Sequence, residues 1–268
     1  MSILIKVLIG VAVAWVLVTM GLYLGQRRMM YVPDRTRVDP GSIGLRNVEE
    51  VVLTAPDGAR LIAWWGKAKP GQPTILYFHG NGAGLADRAP RIERYMGEGW
   101  GVFMMSYRGY SGSTGSPTEA DNVADAMRTF DYLVAAGVRP QDIILYGESL
   151  GTGVATQVAA ERQARGLVLD APYTSIAAVA SRRFPILPVD RFILDRYDTH
   201  KVIGRVRMPV LILHGRRDGV IPVEMGREIA RLANEPKRYV ELPNGQHSDL
   251  YTDGNDAMRH LKAWVAGL

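Results

Sequence analysis

The chain has 268 residues, 47% of them hydrophobic and 22% charged, a globular composition that excludes disorder. Its net charge of +5 is spread along the sequence with no basic block interleaved with aromatics, so nucleic acid is not an expected partner. There is no cysteine, which excludes disulfides, thiolate catalysis and Cys-ligated zinc but leaves the compartment open.

The first element in chain order is an apolar run. From Val7 to Leu24 there is no charge, and Val, Leu, Ile and Ala dominate. This is just long enough to cross a bilayer core. Ile3 and Ile5 extend it if Lys6 snorkels, and Tyr23 stands where an interfacial aromatic is expected. A cleaved signal peptide is the competing reading, but the run is long and no clear small-x-small site precedes Gln26. A buried core helix also competes, against a run with no amphipathic pattern. The expectation is a transmembrane anchor over residues 1–25, making the chain a single-pass membrane protein. Arg27, Arg28, Arg35 and Arg37 follow the span while Lys6 precedes it, which leans toward a cytoplasmic main domain; a signal anchor with the domain outside is the alternative. The oligomeric state is not legible.

Residues 26–45 read as a polar linker, and residues 46–268 as one domain in which strand and helix patterns alternate. The strand-like runs are 47–53, 60–66, 74–79, 101–107, 141–146, 166–170, 209–214 and 238–242. The middle runs are near-continuously apolar, as strands buried on both faces of a parallel sheet are. Helix patterns fall at 87–96, 119–136, 150–163, 223–234 and 256–265. Such alternation predicts an α/β fold: a doubly wound, mostly parallel sheet with helices on both faces. The first two strands have no helix between them and are expected to form a hairpin at one edge. Residues 182–204 interrupt the alternation. They read as a small cap over the sheet's carboxyl edge, either covering substrate or packing an apolar side on the core.

The chemistry begins at Gly147-Glu-Ser149-Leu-Gly151, between the apolar run Ile143–Tyr146 and a helical pattern. This is G-x-S-x-G in the strand–turn–helix setting that makes it informative. The glycines relieve a turn too tight for side chains. Ser149 projects at a helix N-terminus, which favours developing negative charge. A serine hydroxyl needs a base. Of five histidines, His79 and His214 end strands, His200 lies near the cap and His260 lies in the last helix. His247 remains, in a polar loop after the last strand. The acid is expected at Asp218, in the turn after the next-to-last strand, because Ser, Asp, His is this architecture's chain order. Asp170 and Asp249 are its rivals. Two backbone N–H groups should hold the oxyanion: that of Leu150, just after the nucleophile, and that of Asn81 in the Gly-rich loop His79-Gly-Asn-Gly-Ala-Gly84, with the Asn81 side-chain amide a further donor. The loop lacks a P-loop lysine, so nucleotide binding is poorly supported. No metal or organic cofactor is required. A metal site from His214, Asp218 and His247 matches no standard ligand spacing.

Together, His79-Gly-Asn-Gly82, Ser106-Tyr-Arg-Gly-Tyr-Ser-Gly112 with Gly115-Ser-Pro117, Leu145-Tyr-Gly-Glu-Ser-Leu-Gly151, and Pro209-Val-Leu-Ile-Leu-His-Gly215 with Asp218 and Pro222 resemble the α/β-hydrolase superfamily. More narrowly, they resemble its membrane-anchored serine hydrolase branch, with an N-terminal helix and a small cap. The resemblance covers residues 45–268. It implies hydrolysis of an ester, thioester or amide through an acyl-enzyme, with a lipophilic acyl substrate suggested by lipid hydrolases and depalmitoylases in that branch. The depalmitoylases carry a cysteine cluster that this chain lacks, and Asp170-Ala-Pro-Tyr173 departs from the usual wording. Two other functions share the same residues: a serine peptidase or aminoacyl amidase, and a membrane-tethered protein that kept the fold without activity.

Overall fold

The computed structural model describes residues 2–252 and 254–268. It begins with α1 (Ile3–Met30), 28 residues long and with none of them buried. At 1.5 Å per residue it is about 42 Å long, against a hydrocarbon core of about 30 Å. The helix takes in residues 26–30 of the expected linker. The physical reason is that these last residues are bonded to the rest of the chain. Arg27 Nε donates to Asp195 at 2.8 Å, and Leu194 N donates to the Gln26 side chain at 2.8 Å. Arg27 and Arg28 also suit the negative end of the helix dipole.

Beyond α1 the strands run β1 (Val32–Pro33), β2 (Val48–Thr54), β3 (Arg60–Gly66), β4 (Thr74–Phe78), β5 (Gly82–Ala83), β6 (Gly101–Met105), β7 (Ile143–Glu148), β8 (Gly166–Asp170), β9 (Val210–Gly215) and β10 (Lys237–Leu242). Eight of them form one sheet in the order β10-β9-β8-β7-β4-β6-β3-β2. Only β3 runs against its neighbours, pairing antiparallel with both β2 and β6. The fold is therefore α/β, a mostly parallel sheet with a hairpin at one edge. The central strands are buried at every position because helices cover both faces. Leu76, Phe103, Leu145 and Leu169 point to the face covered by α3 (Glu119–Ala135), α4 (Leu150–Glu161) and α8 (Val223–Leu232). Ile75, Met104, Ile144 and Val168 point to the face covered by α2 (Ala89–Gly97) and α9 (Ala257–Val265).

Between β8 and β9 lie α5 (Ile176–Arg183), α6 (Val189–Phe192) and α7 (Thr199–Val202). The helical segment starts earlier than residue 182, where Ser175 Oγ accepts from Ala178 N and caps α5. The two ends of this segment pack differently. Ile203 and Val206, next to α7, are buried in the core. The α5–α6 part instead faces α1, with the Tyr23 and Phe192 rings 6.5 Å apart edge to face.

Candidate active site

The site starts from a strained turn. Ser149 sits between β7 and α4 at φ 50°, ψ −116°, a backbone conformation that L-residues rarely adopt. The two flanking glycines make it feasible by removing bulk. A Cβ on Gly151 would overlap the carbonyl oxygen of Phe78 on β4, and one on Gly147 would overlap the Gly151 carbonyl. Ser149 N donates to the Asp170 carbonyl at 2.9 Å, tying the turn to the end of β8.

The structure brings together Ser149, His247 and Asp218. Ser149 Oγ lies 3.0 Å from His247 Nε2, and His247 Nδ1 lies 2.8 Å from Asp218 Oδ2. With the carboxylate accepting from Nδ1–H, Nε2 is left as the acceptor facing the serine hydroxyl. Asp218 is held in turn: its Oδ1 accepts from the backbone N–H groups of Val220 and Ile221, both at 2.8 Å. Burial alone would push the Asp218 carboxyl up, but hydrogen bonds from His214 and His247, with the attraction of His247, hold it well below the carboxylate range. Burial likewise pulls His247 down, and the Asp218 bond and charge outweigh it, leaving the imidazole above its ordinary 6.5.

The rivals are engaged elsewhere. Asp170 Oδ2 accepts from Tyr146 Oη at 2.7 Å and from Arg91 at 3.0 Å. Asp249 accepts from Gln246 N at 2.6 Å and shapes the His247 loop. His79 Nδ1 meets the Gly80 carbonyl at 2.7 Å; burial and the nearby Arg88 push its pKa down to about 3. His200 Nδ1 pairs with the Thr174 carbonyl, and His260 lies on α9 beside Arg238. His214, read as a plain strand-end residue, has a larger part. It is fully buried, donates from Nε2 to the Ile221 carbonyl at 2.9 Å, and stands 3.5 Å from Asp218 Oδ2, so it steadies the turn that carries the acid.

Leu150 and the Gly-rich loop that carries Asn81 border the serine. Leu150 is the first residue of α4, directly after Ser149. Gly80 stands where a Cβ would lie 3.5 Å from the Ser149 Cβ, which puts the Gly-rich loop against the nucleophile. Among the described residues, neither the Asn81 nor the Leu150 backbone N–H donates to a protein acceptor in a turn, loop or cap. The Asn81 side-chain amide has one of its two N–H groups engaged at the helix end. It gives that N–H to the Met30 carbonyl at 2.9 Å, at the end of α1. The next stretch of chain, β1, then pairs with β5 of the same loop, Val32 opposite Gly82. The N-terminal helix thus exits directly onto the loop beside Ser149.

A second polar group beneath the site was not foreseen. Arg91 from α2 lies 3.0 Å from Asp170 and 4.1 Å over the Tyr251 ring, while Arg88 lies 3.5 Å from Glu148, the residue before the serine. Tyr77 Oη donates to Glu148 at 2.8 Å. Burial would raise Glu148; the charges of Arg91 and Arg88, with the Tyr77 bond, bring it down to about 2. One signal for this group was present: Tyr77 and Tyr146 interrupt aliphatic runs at equivalent points and turn out to be register partners.

A strand–turn–helix serine hydrogen-bonded to a loop histidine and a turn aspartate, on a mostly parallel sheet, defines the class of α/β hydrolases. The chain belongs to that family. The profile described as serine aminopeptidase, S33, matches residues 69–198. An uncharacterised protein of Mycobacterium tuberculosis is 36% identical over 87% of this chain and 84% of its own length. Protein bem46 of Schizosaccharomyces pombe is 30% identical over 84% of this chain and 76% of its own length. Among solved structures, an α/β hydrolase from Vibrio vulnificus superposes with a TM-score of 0.71 at 23% identity, covering 87% of this chain and 88% of its own. The esterase Pf2001 of Pyrococcus furiosus superposes with a TM-score of 0.65 at 20% identity, covering 89% and 94%.

Proposed function

We propose that this chain is a membrane-anchored serine hydrolase that cleaves a carboxylic ester or thioester of a lipophilic acyl group. The observation that carries the reading is the hydrogen-bonded line Ser149–His247–Asp218, built on a backbone conformation held at a cost of about 1–3 kcal/mol. Ser149 Oγ attacks the acyl carbonyl as its proton passes to His247 Nε2. Asp218 holds the imidazole's tautomer and stabilises the imidazolium. The carbonyl electrons collect on an oxygen facing the N–H groups of Leu150 and Asn81, and collapse of that intermediate expels the alcohol or thiol with the proton from His247. Water, deprotonated by the same imidazole, then releases the acid and restores Ser149.

The membrane assignment is supported by the length of α1, by its having no buried residue and by its charge-free stretch. The bonds from Gln26, Arg27 and Met30 to the domain argue that this helix stays with the protein and is not a removable leader.

A second reading, hydrolysis of an aminoacyl amide, is favoured by the name of the matching family profile. Both use the same line of residues, so substrates separate them. The full chain should take a covalent fluorophosphonate label, lose it in Ser149→Ala, and turn over acyl esters in preference to aminoacyl amides. An unlabelled protein would make this a non-catalytic member of its family, and amide preference would establish the second reading.

A further inference from the structure

An apolar cleft of about 390 Å³ lies between the second half of α1 and the α5–α6 segment. That volume lies within the range of small-molecule sites, about 300–1,000 Å³. One wall carries Leu22 and Met29, the facing wall carries Val179, Ala180 and Leu187, and the inner end reaches Asn81. Of the polar side chains on the walls, Thr19, Gln26 and Asn81 already have partners, and Arg183 at the end of α5 is exposed. Thr19 Oγ1 donates to the Trp15 carbonyl, the Gln26 amide serves Tyr23 and Leu194, and the Asn81 amide serves Met30. The rest of the lining is apolar and suits a hydrocarbon chain, which needs no polar partner.

We infer that this cleft holds the acyl chain of a membrane-resident lipid ester, with α1 as one wall, and that the chain enters from the bilayer. The inference rests on the hydrolase reading and on α1 lying in a membrane. Three observations carry it. The first is position: Thr19, at one end of the cleft, precedes Arg27 by about two turns, or about 12 Å along the axis, which puts that end at hydrocarbon depth when Arg27 marks the headgroups. The second is proximity: the other end touches Asn81, and the preceding residue, Gly80, stands where a Cβ would lie 3.5 Å from the Ser149 Cβ, so that end of the cleft opens toward the loop beside the nucleophile. The third is the surroundings: Ile186, Phe192 and Leu194 are exposed beside α1, making one apolar face of helix and cap that suits lipid and not water.

Two substitutions narrow the cleft from opposite sides: Ala180→Trp on α5 and Met29→Trp on the half-exposed end of α1. In full-length protein reconstituted in phosphatidylcholine vesicles, each should lower the ratio of kcat/KM for a dodecanoyl ester to that for an acetyl ester by about tenfold or more, the scale on which apolar pockets discriminate. A ratio that stays constant, including one in which both esters slow together, overturns the inference. A second measurement needs no turnover. A palmitate analogue with a chain-end diazirine, photolysed with the Ser149→Ala protein, should label peptides from residues 176–193, and Ala180→Trp should suppress that label. Label absent there, or indifferent to Ala180→Trp, also overturns it. If wild-type protein resists fluorophosphonate while this crosslink forms and is suppressed, the hydrolase reading fails and the acyl site stands.

Discussion

Ser149, His247 and Asp218 arrive from three separate turns, and each holds its geometry by local means that single substitutions can address. Gly151→Ala inserts a methyl into the Phe78 carbonyl; overpacking of this kind costs about 1–3 kcal/mol, so Tm should fall and labelling at Ser149 should weaken with it. Asp218→Asn removes the group that sets the tautomer, and kcat should fall by roughly 10⁴-fold with the fold intact. The pH dependence has a definite sign. His247 accepts a proton only when neutral, and its pKa stands above 6.5. Hydrolysis should therefore rise with pH through a midpoint above 6.5, read from kcat/KM against pH. In Asp218→Asn burial is no longer outweighed, and the residual activity should show a lower midpoint. At this scale the sequence was legible where chemistry is contiguous. Gly147 to Gly151 announces itself, and chain order singles out Asp218 and His247. His214 was not legible, because its approach to Asp218 comes from the path of the intervening turn and not from spacing. The bond from the Asn81 amide to Met30 was likewise hidden: a loop sequence does not say which helix end lies beside it.

The strands and most helices were readable because each central strand is a near-continuous apolar run and the helices between them have their own apolar spacing. What periodicity could not reveal is side-chain convergence from several elements. Tyr77 on β4, Glu148 on β7, Asp170 on β8 and Arg91 on α2 meet only through sheet register and the packing of α2. Arg91→Met should leave the buried Asp170 carboxylate without its cation, costing about 3–5 kcal/mol, measurable by urea unfolding. The same cluster predicts an acid response. Glu148 titrates at about 2 in the folded chain against an ordinary 4.5. Its contribution to stability is therefore present above about 4.5 and lost as pH falls toward 2. Burial raises Asp170, which works in the opposite direction at neutral pH. Unfolding followed from pH 5 to 2 should show the Glu148 loss in wild type and a shallower one in Arg91→Met; equal slopes would remove Arg91 from this role.

The molecule as a whole is a sheet domain joined to an apolar helix, and the join is firm. Asp195 is buried and accepts from Arg27 at 2.8 and 3.1 Å, from Tyr31 Oη at 3.2 Å and from the backbone N–H of Glu119 at 3.1 Å. The apolar run predicted a helix, but a helix with no amphipathic pattern carries no mark of where it docks, so residues 26–30 read as linker. On the membrane reading, the protein should stay in the pellet through alkaline carbonate extraction. The absence of cysteine makes orientation directly measurable. Gln141→Cys on the exposed side of the domain should react with an impermeant maleimide only after cells are opened, if the positive-inside lean holds. The firm join also bears on kinetics. A domain on a floppy tether can sweep the solution around its membrane, whereas one fixed at the helix exit has no reach and meets substrate only in two dimensions. Its rate should then follow the mole fraction of substrate in the surface, so that diluting vesicles with buffer changes little, while diluting the substrate with inert lipid slows the enzyme in proportion.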